Sequence, residues 1–177
     1  MMRLVRSTAA LARHRWLARH RSSFARTGAD GQRRLLVDVS TIMQHDAQTG
    51  IQRVVRAVWS ELSRRGGGAF EVVPIYATKS SGFCYAPADF LRQSQSSSRE
   101  VVVAGAGDVF LGLDLSAHLL PKYRAQLRAW RLAGATVNLV AYDVLPLVRP
   151  EWFSRQAVSY FREWFDVLRT EADQVAR

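Results

Sequence analysis

Three aspartates, Asp38, Asp114 and Asp143, each follow an apolar run, and Thr49-Gly50 opens an amphipathic stretch that carries Arg53. Carboxylates gathered at the ends of parallel strands can bind a metal or hydrogen-bond a polyol. The free amides of a helix opening at Gly50, with Arg53 beside them, attract a phosphate. Each residue also has a structural reading: a strand-end aspartate accepts from loop amides, and a first-turn arginine is a solvated surface group. Asp143 stands apart from the other two acids because it lies between a strand and a loop fenced by Pro146 and Pro150.

Several other chemistries fail on the residues themselves. LLVDVST shares one aspartate with the haloacid dehalogenase phosphatase pattern, but that chemistry needs a second carboxylate two residues on, where Ser40 stands. Without it the proton transfer and the magnesium site both lose a ligand. There is no G-x-x-x-x-G-K-[ST] phosphate loop and no G-x-S-x-G nucleophile elbow. Ala104-Gly105-Ala106-Gly107 precedes a strand instead of following one, the wrong context for a dinucleotide loop. His14, His20, His45 and His118 show no metal-ligand spacing with Cys84, so neither a metal nor a cofactor is expected. No catalytic residue is assigned.

The elements that must position these groups follow from hydrophobic period. Leu35 to Val39 reads as a buried strand and leads into a polar loop. Ile51, Val54, Val55, Val58 and Leu62 then recur at helical spacing. Thr49 and Gln52 form a capping-box pattern at the helix start, and Gly66-Gly67-Gly68 ends the helix after Arg64 and Arg65. A second strand spans Phe70 to Tyr76, and the serine-rich stretch Thr78 to Arg99 reads as loop with a short hairpin strand near Phe83. Asp108 to Leu113 is a strand, Ser116 caps a helix containing Leu119 to Trp130, and Thr136 to Ala141 is a further strand. Glu151 to Leu168 forms a helix whose aromatic residues are read as core, and Ala172 to Arg177 starts another strand. Strands alternating with helices specify an α/β fold, a Rossmann-like, doubly wound, mostly parallel sheet.

Length and charge set the outer bounds. With 177 residues, 48% of them hydrophobic, the chain suits one domain plus a tail and is too short for a large two-domain enzyme. Cys84 is the only cysteine, which excludes an internal disulfide and fits a reducing, cytoplasmic compartment. The net charge of +10 is concentrated in residues 1–34, where nine arginines face one acid, Asp30. The folded part, residues 34–177, is therefore close to neutral, and no specific nucleic-acid partner is implied. Residues 1–33 form a basic arm with two readings: a disordered solvated segment, or a helix making peripheral contact with an anionic membrane through Leu4, Leu11, Trp16, Leu17 and Phe24. No uncharged apolar run reaches the roughly 18 to 20 residues of a membrane span.

Four segments, DVST, TGIQRVVRAVWSEL, DVFLGLDLS and YDVLPLVRPEWF, resemble in this order the N-terminal, acceptor-side domain of GT-B bacterial glycosyltransferases of the group 1 or family 4 type. The resemblance covers Leu35 to Val175, and its most specific part is TGIQRVVR coupled to YDVLPLVRPEWF. It implies one half of a two-lobed enzyme that retains anomeric configuration without a dedicated metal. Such an enzyme transfers a sugar from a nucleotide-sugar to a saccharide or lipid-linked acceptor. The helix end at Thr49, Gly50 and Arg53, read physically, suits that role as a substrate-binding group, and by the resemblance Asp143 joins it at the cleft, although Tyr142 stands where many relatives have histidine. The nucleotide-sugar lobe, with its Glu-x7-Glu motif, would lie beyond Arg177. Glu163 and Glu171 share that spacing, but on a helix of the wrong domain. The chain alone is thus expected to be inactive, truncated at its C-terminal end, with an exposed apolar face where the second lobe would pack. The rival reading is a non-catalytic remnant or interaction domain of a truncated or split gene.

Overall fold

A computed structural model describes residues 32–66, 68–92 and 99–177. Residues 1–31 of the basic arm, and with them its two readings, lie outside the described residues, as do Gly67 and the QSQSSS run; the last residue assigned to the arm, Arg33, belongs instead to the first strand. The fold is α/β with a six-stranded sheet, mostly parallel, and helices on both faces.

Strand β1, Arg33–Asp38, sits between β2, Phe70–Tyr76, and β4, Val109–Gly112, and is parallel to both. Outside β2 lies the short antiparallel β3, Cys84–Tyr85. On the other side β5, Thr136–Val140, and β6, Gln174–Ala176, continue the parallel set. The spatial order is β3-β2-β1-β4-β5-β6. The chain winds outward in one direction from β1 and in the other from β4, so the boundary between those two strands is where a doubly wound sheet opens a crevice at its carboxyl edge.

Both faces of the sheet are apolar because alternate residues of each strand point to opposite sides. Leu36 and Phe110, paired across β1 and β4, face one core with Val137 and Leu139. That core is covered by α3, Arg124–Leu132, and by α5, Arg155–Glu171, through Leu127, Trp130, Trp164, Val167 and Leu168. Val37, Val39 and Leu113 face a second core, covered by α1, Ser40–Gln44, and α2, Gly50–Arg65, through Ile42, Val55 and Trp59. Phe83, Phe110 and Trp130 pack ring against ring with centroids 5.2 to 5.7 Å apart, in the tilted and edge-on arrangements aromatic pairs favour.

The structure departs from the sequence reading at several places. The expected polar loop after β1 holds the short helix α1, nucleated because the Asp38 and Asp114 carboxylates accept from the Ser40 and Ile42 amides. Ser116 does not cap a helix with its hydroxyl. It turns that group toward Asp38, and a 3-10 turn at Leu120–Tyr123 precedes α3. The loop between Pro146 and Pro150 contains a single helical turn, α4, Leu145–Val148. The aromatic helix starts later than expected, at Arg155, with the Ser154 hydroxyl accepting from the Ala157 amide. Trp152, Phe153 and Phe165 are exposed to 67%, 37% and 44%, so only part of that aromatic set is core.

Candidate functional site

All three strand-end aspartates stand on the carboxyl edge of the sheet, after β1, β4 and β5, as their positions predict. They do not form one cluster of equal members. Asp38 is fully buried: its Oδ1 accepts from the Ser40 amide at 2.9 Å and from the Ser40 hydroxyl at 2.5 Å, and its Oδ2 accepts from Ser116 Oγ at 3.0 Å. The Ser40 oxygen in turn accepts from the Ala77 amide at 2.8 Å, just past the end of β2. Asp114 accepts from the Ile42 amide at 2.7 Å, and the Thr41 hydroxyl donates to the Leu115 carbonyl at 3.0 Å. These bonds lace the ends of β1, β2 and β4 to α1.

Burial pushes the Asp38 carboxyl up to about 7, the Asp114 charge adds to the rise, and the hydrogen bonds from Ser40 and Ser116 only partly offset it. Asp114 is also raised by burial, against the lowering effect of the Ile42, Thr41 and Leu115 amides. Tyr142, half-buried, donates to the Leu113 carbonyl at 2.8 Å, and burial together with the Asp114 charge raises its phenol to about 12. The Asp38–Asp114 arrangement is a fully satisfied structural lattice. Among the described residues no group of three or more His, Cys, Asp and Glu gathers as a metal site.

The opening of α2 is the accessible part of the edge. Thr49 and Gln52 close the capping box the sequence specifies: the Gln52 amide donates to Thr49 Oγ1 at 3.3 Å, and the Thr49 amide donates to Gln52 Oε1 at 3.2 Å. Gln52 is buried and also donates to the His45 carbonyl at 2.7 Å, which fixes the α1–α2 loop against the helix. Thr49, Gly50 and Arg53 are solvent-exposed, and the Arg53 side chain has no ion-pair partner among the described residues. A Cβ added at Gly50 would meet nothing within 4 Å, so packing does not demand a glycine there. The helix end is held rigid from behind and left open in front.

Asp143 shares this edge with α2, since β5 lies two strand steps from β1, about 10 Å at ordinary strand spacing. Its Oδ1 accepts from the Leu145 amide at 2.7 Å, the local turn bond common for aspartate, while its side chain remains partly exposed. Thr49, Gly50 and Arg53 are thus brought together, and Asp143 stands apart from them on the same side. Glu171, whose spacing from Glu163 matched a motif, is buried against Arg124 and Arg128 and has a packing role. The lattice partners Ser40 and Ser116 were missed as a pair. Ser40, two residues after Asp38, carried a local turn signal, but nothing in the sequence joins Asp38 to Ser116 across 78 positions.

A shallow hollow lined by Trp59, Leu62, Arg65 and Phe70 lies at the opposite, amino edge, away from these groups. No helix among the described residues is long and apolar enough to cross a membrane.

No protein-family model matches the chain. Over 147 residues, 81% of its length, it is 40% identical to a serotype-specific mannosyltransferase WbdA of Escherichia coli. It is 39% identical over the same span to each of two further WbdA proteins of that species. The chain spans only 17% to 18% of the length of these relatives.

Proposed function

We propose that this chain is the acceptor-side lobe of a retaining GT-B glycosyltransferase. Completed by a donor-binding lobe, it moves a sugar from a nucleotide-sugar to a saccharide or lipid-linked acceptor. The likeness to mannosyltransferases favours mannose as the sugar. The observation that carries the reading is the combination at the carboxyl edge. The capped amino end of α2 opens at an unpacked glycine, with an unpaired arginine beside it, on the edge where doubly wound sheets bind ligands.

In this reading the diphosphate leaving group comes against the Gly50 backbone, where no side chain blocks approach. The amide dipoles of α2 and the Arg53 guanidinium then offset the charge that builds as the sugar–phosphate bond breaks. These groups are positioned before the reaction by the Thr49–Gln52 box and the Gln52–His45 bond, so little reorganisation accompanies charge development. Asp143, with one carboxylate oxygen committed to Leu145, offers the other to a sugar hydroxyl. The exposed apolar residues Val144, Leu145, Val148, Trp152 and Phe153 on the same edge supply the surface a second lobe would cover.

An exchange experiment tests the reading. Residues 34–177 replace the matched segment of the E. coli mannosyltransferase, and mannose transfer is measured. Transfer above that of the same enzyme with the segment deleted is expected; an exchanged enzyme that folds and transfers nothing contradicts it.

A further inference from the structure

The sequence holds 23 arginines and only two lysines, Lys79 and Lys122, and one hydrogen bond ties the two turns that carry them. Lys79 sits in the turn after β2, where the Ser80 and Ser81 amides donate to Thr78 Oγ1 at 3.3 and 3.0 Å. Lys122 lies in the 3-10 turn before α3. The Tyr123 hydroxyl donates to the Thr78 carbonyl at 2.5 Å, fastening the residue after one lysine to the residue before the other. His118, four residues before Lys122, is half-buried, its ring 6.3 Å from that of Tyr160 on α5. Both lysines are exposed, and among the described residues neither has a carboxylate partner. The nearby arginines behave differently: Arg124, Arg128 and Arg131 are all committed to Asp166, Glu171 or Asp173.

We propose that Lys79, His118 and Lys122 form a binding site for a phosphoryl oxyanion, a mono- or diphosphate, on the carboxyl edge of the sheet. Uncompensated like charges held together by a hydrogen-bonded frame leave a positive potential that a compact anion relieves. Lysine suits phosphate as a hydrated point charge on a flexible stem. Burial, then the Lys79 and Lys122 charges, hold the His118 imidazole below its ordinary value, so an anion seated between them raises it again. The site stands on this geometry. That its natural occupant is the diphosphate of a lipid-linked acceptor rests on the sugar-transfer reading.

The test is histidine NMR on the full 177-residue chain at physiological salt. The His118 signal is assigned with a His118→Gln variant, and the probes are inorganic pyrophosphate, a nucleoside diphosphate and farnesyl diphosphate. Pyrophosphate should raise the His118 titration midpoint. Binding should weaken about tenfold in Lys79→Gln/Lys122→Gln and recover in Lys79→Arg/Lys122→Arg. Tighter binding of farnesyl diphosphate than of the other two supports the lipid-linked occupant; equal or weaker binding overturns that assignment and keeps the phosphoryl site. A His118 signal indifferent to all three probes, or responding equally in the double glutamine variant, overturns the site. His45, whose carbonyl is bonded to Gln52, reports separately on the α2 end, so the two sites fail or succeed independently.

Discussion

Asp38 occupies the position from which doubly wound folds often deliver a functional carboxylate, yet here it faces inward onto Ser40 and Ser116 and never reaches solvent. Its work is to fix α1 and, through it, the loop that presents Thr49, Gly50 and Arg53. The cost is a carboxyl that takes up a proton near neutrality, at about 7 against an ordinary value of 3.8. The folded state therefore binds this proton more tightly than the unfolded state. The group's contribution to stability falls as pH rises from about 4 through 7. Asp114, also raised, acts in the same sense, whereas His118, held low by burial, acts oppositely just below its ordinary value. The informative quantity is the difference between two chains: Asp38→Asn, which imitates the protonated form, should gain stability relative to the native chain as pH rises from 5 to 8. Urea midpoints measured across that range check it, and a pH-independent difference would remove the proton from the account. Carboxylates that pair with arginine act in a lower window. Burial pushes Glu171 up, but hydrogen bonds from Arg128, Arg124 and Thr170 outweigh it, so its contribution is lost only as pH falls below the usual carboxylate range.

At the scale of elements, the amino edge is secured by a different device. The Arg34 amide and Nε donate to Asp108 Oδ1 at 3.1 and 3.2 Å, and its Nη2 pairs with Asp108 Oδ2. The guanidinium also donates to Tyr85 Oη at 2.8 Å and the Val103 carbonyl at 2.7 Å, joining β1, β3 and the turn into β4. Both side chains are only 6% exposed, so removing one partner strands the other charge. Asp108→Ala should cost about 3–5 kcal/mol of folding stability. A loss below 1 kcal/mol by denaturant unfolding would show that the pair is not what joins these strands. Nothing local in the sequence announces that pair. By contrast β2, α2 and the capping box of α2 were legible to the residue, because each depends on a run of period two or 3.6 and on chemistry within four positions. What could not be read depends on partners far apart in the chain. Asp114 nucleates α1 from 72 residues away, and Asp38 diverts Ser116 from the helix-capping role that its sequence context implies. The 3-10 turn at Phe90–Arg92, closed by the Phe90 and Arg92 amides on the Pro87 and Asp89 carbonyls, was not read either; its Phe90 ring packs on Trp59, centroids 5.2 Å apart.

For the whole molecule, the division of labour between edges is the main result. The amino edge carries the Arg34–Asp108 pair and the hollow beside Trp59. The carboxyl edge carries the open helix end, Asp143, the two lysines and the exposed apolar run from Val144 to Phe153. The open helix end and the partly exposed Asp143 thus share the edge on which doubly wound sheets bind ligands. The sequence could place the three aspartates on that edge because parallel strands must all end there. It could not rank them, since burial is a property of the assembled sheet: Asp38 and Asp114 went inside and Asp143 stayed partly exposed. The basic arm remains a separate expectation. Removal of residues 1–30 followed by sedimentation with anionic vesicles distinguishes a membrane contact, lost with the arm, from a solvated tail, whose removal changes nothing.

The end of α2 is the point on which the functional account turns, and it can be probed in the exchanged mannosyltransferase with two substitutions at positions that bear little on folding. Arg53→Gln should lower kcat about a hundredfold, the scale of losing one charge-stabilising donor at a leaving group. Gly50→Val, projecting a side chain into open space, should abolish transfer, while both variants melt within about 2 °C of the parent, as exposed substitutions that remove no packing do. Unchanged transfer in both variants, with folding intact, would contradict the claim that this helix opens onto the departing diphosphate.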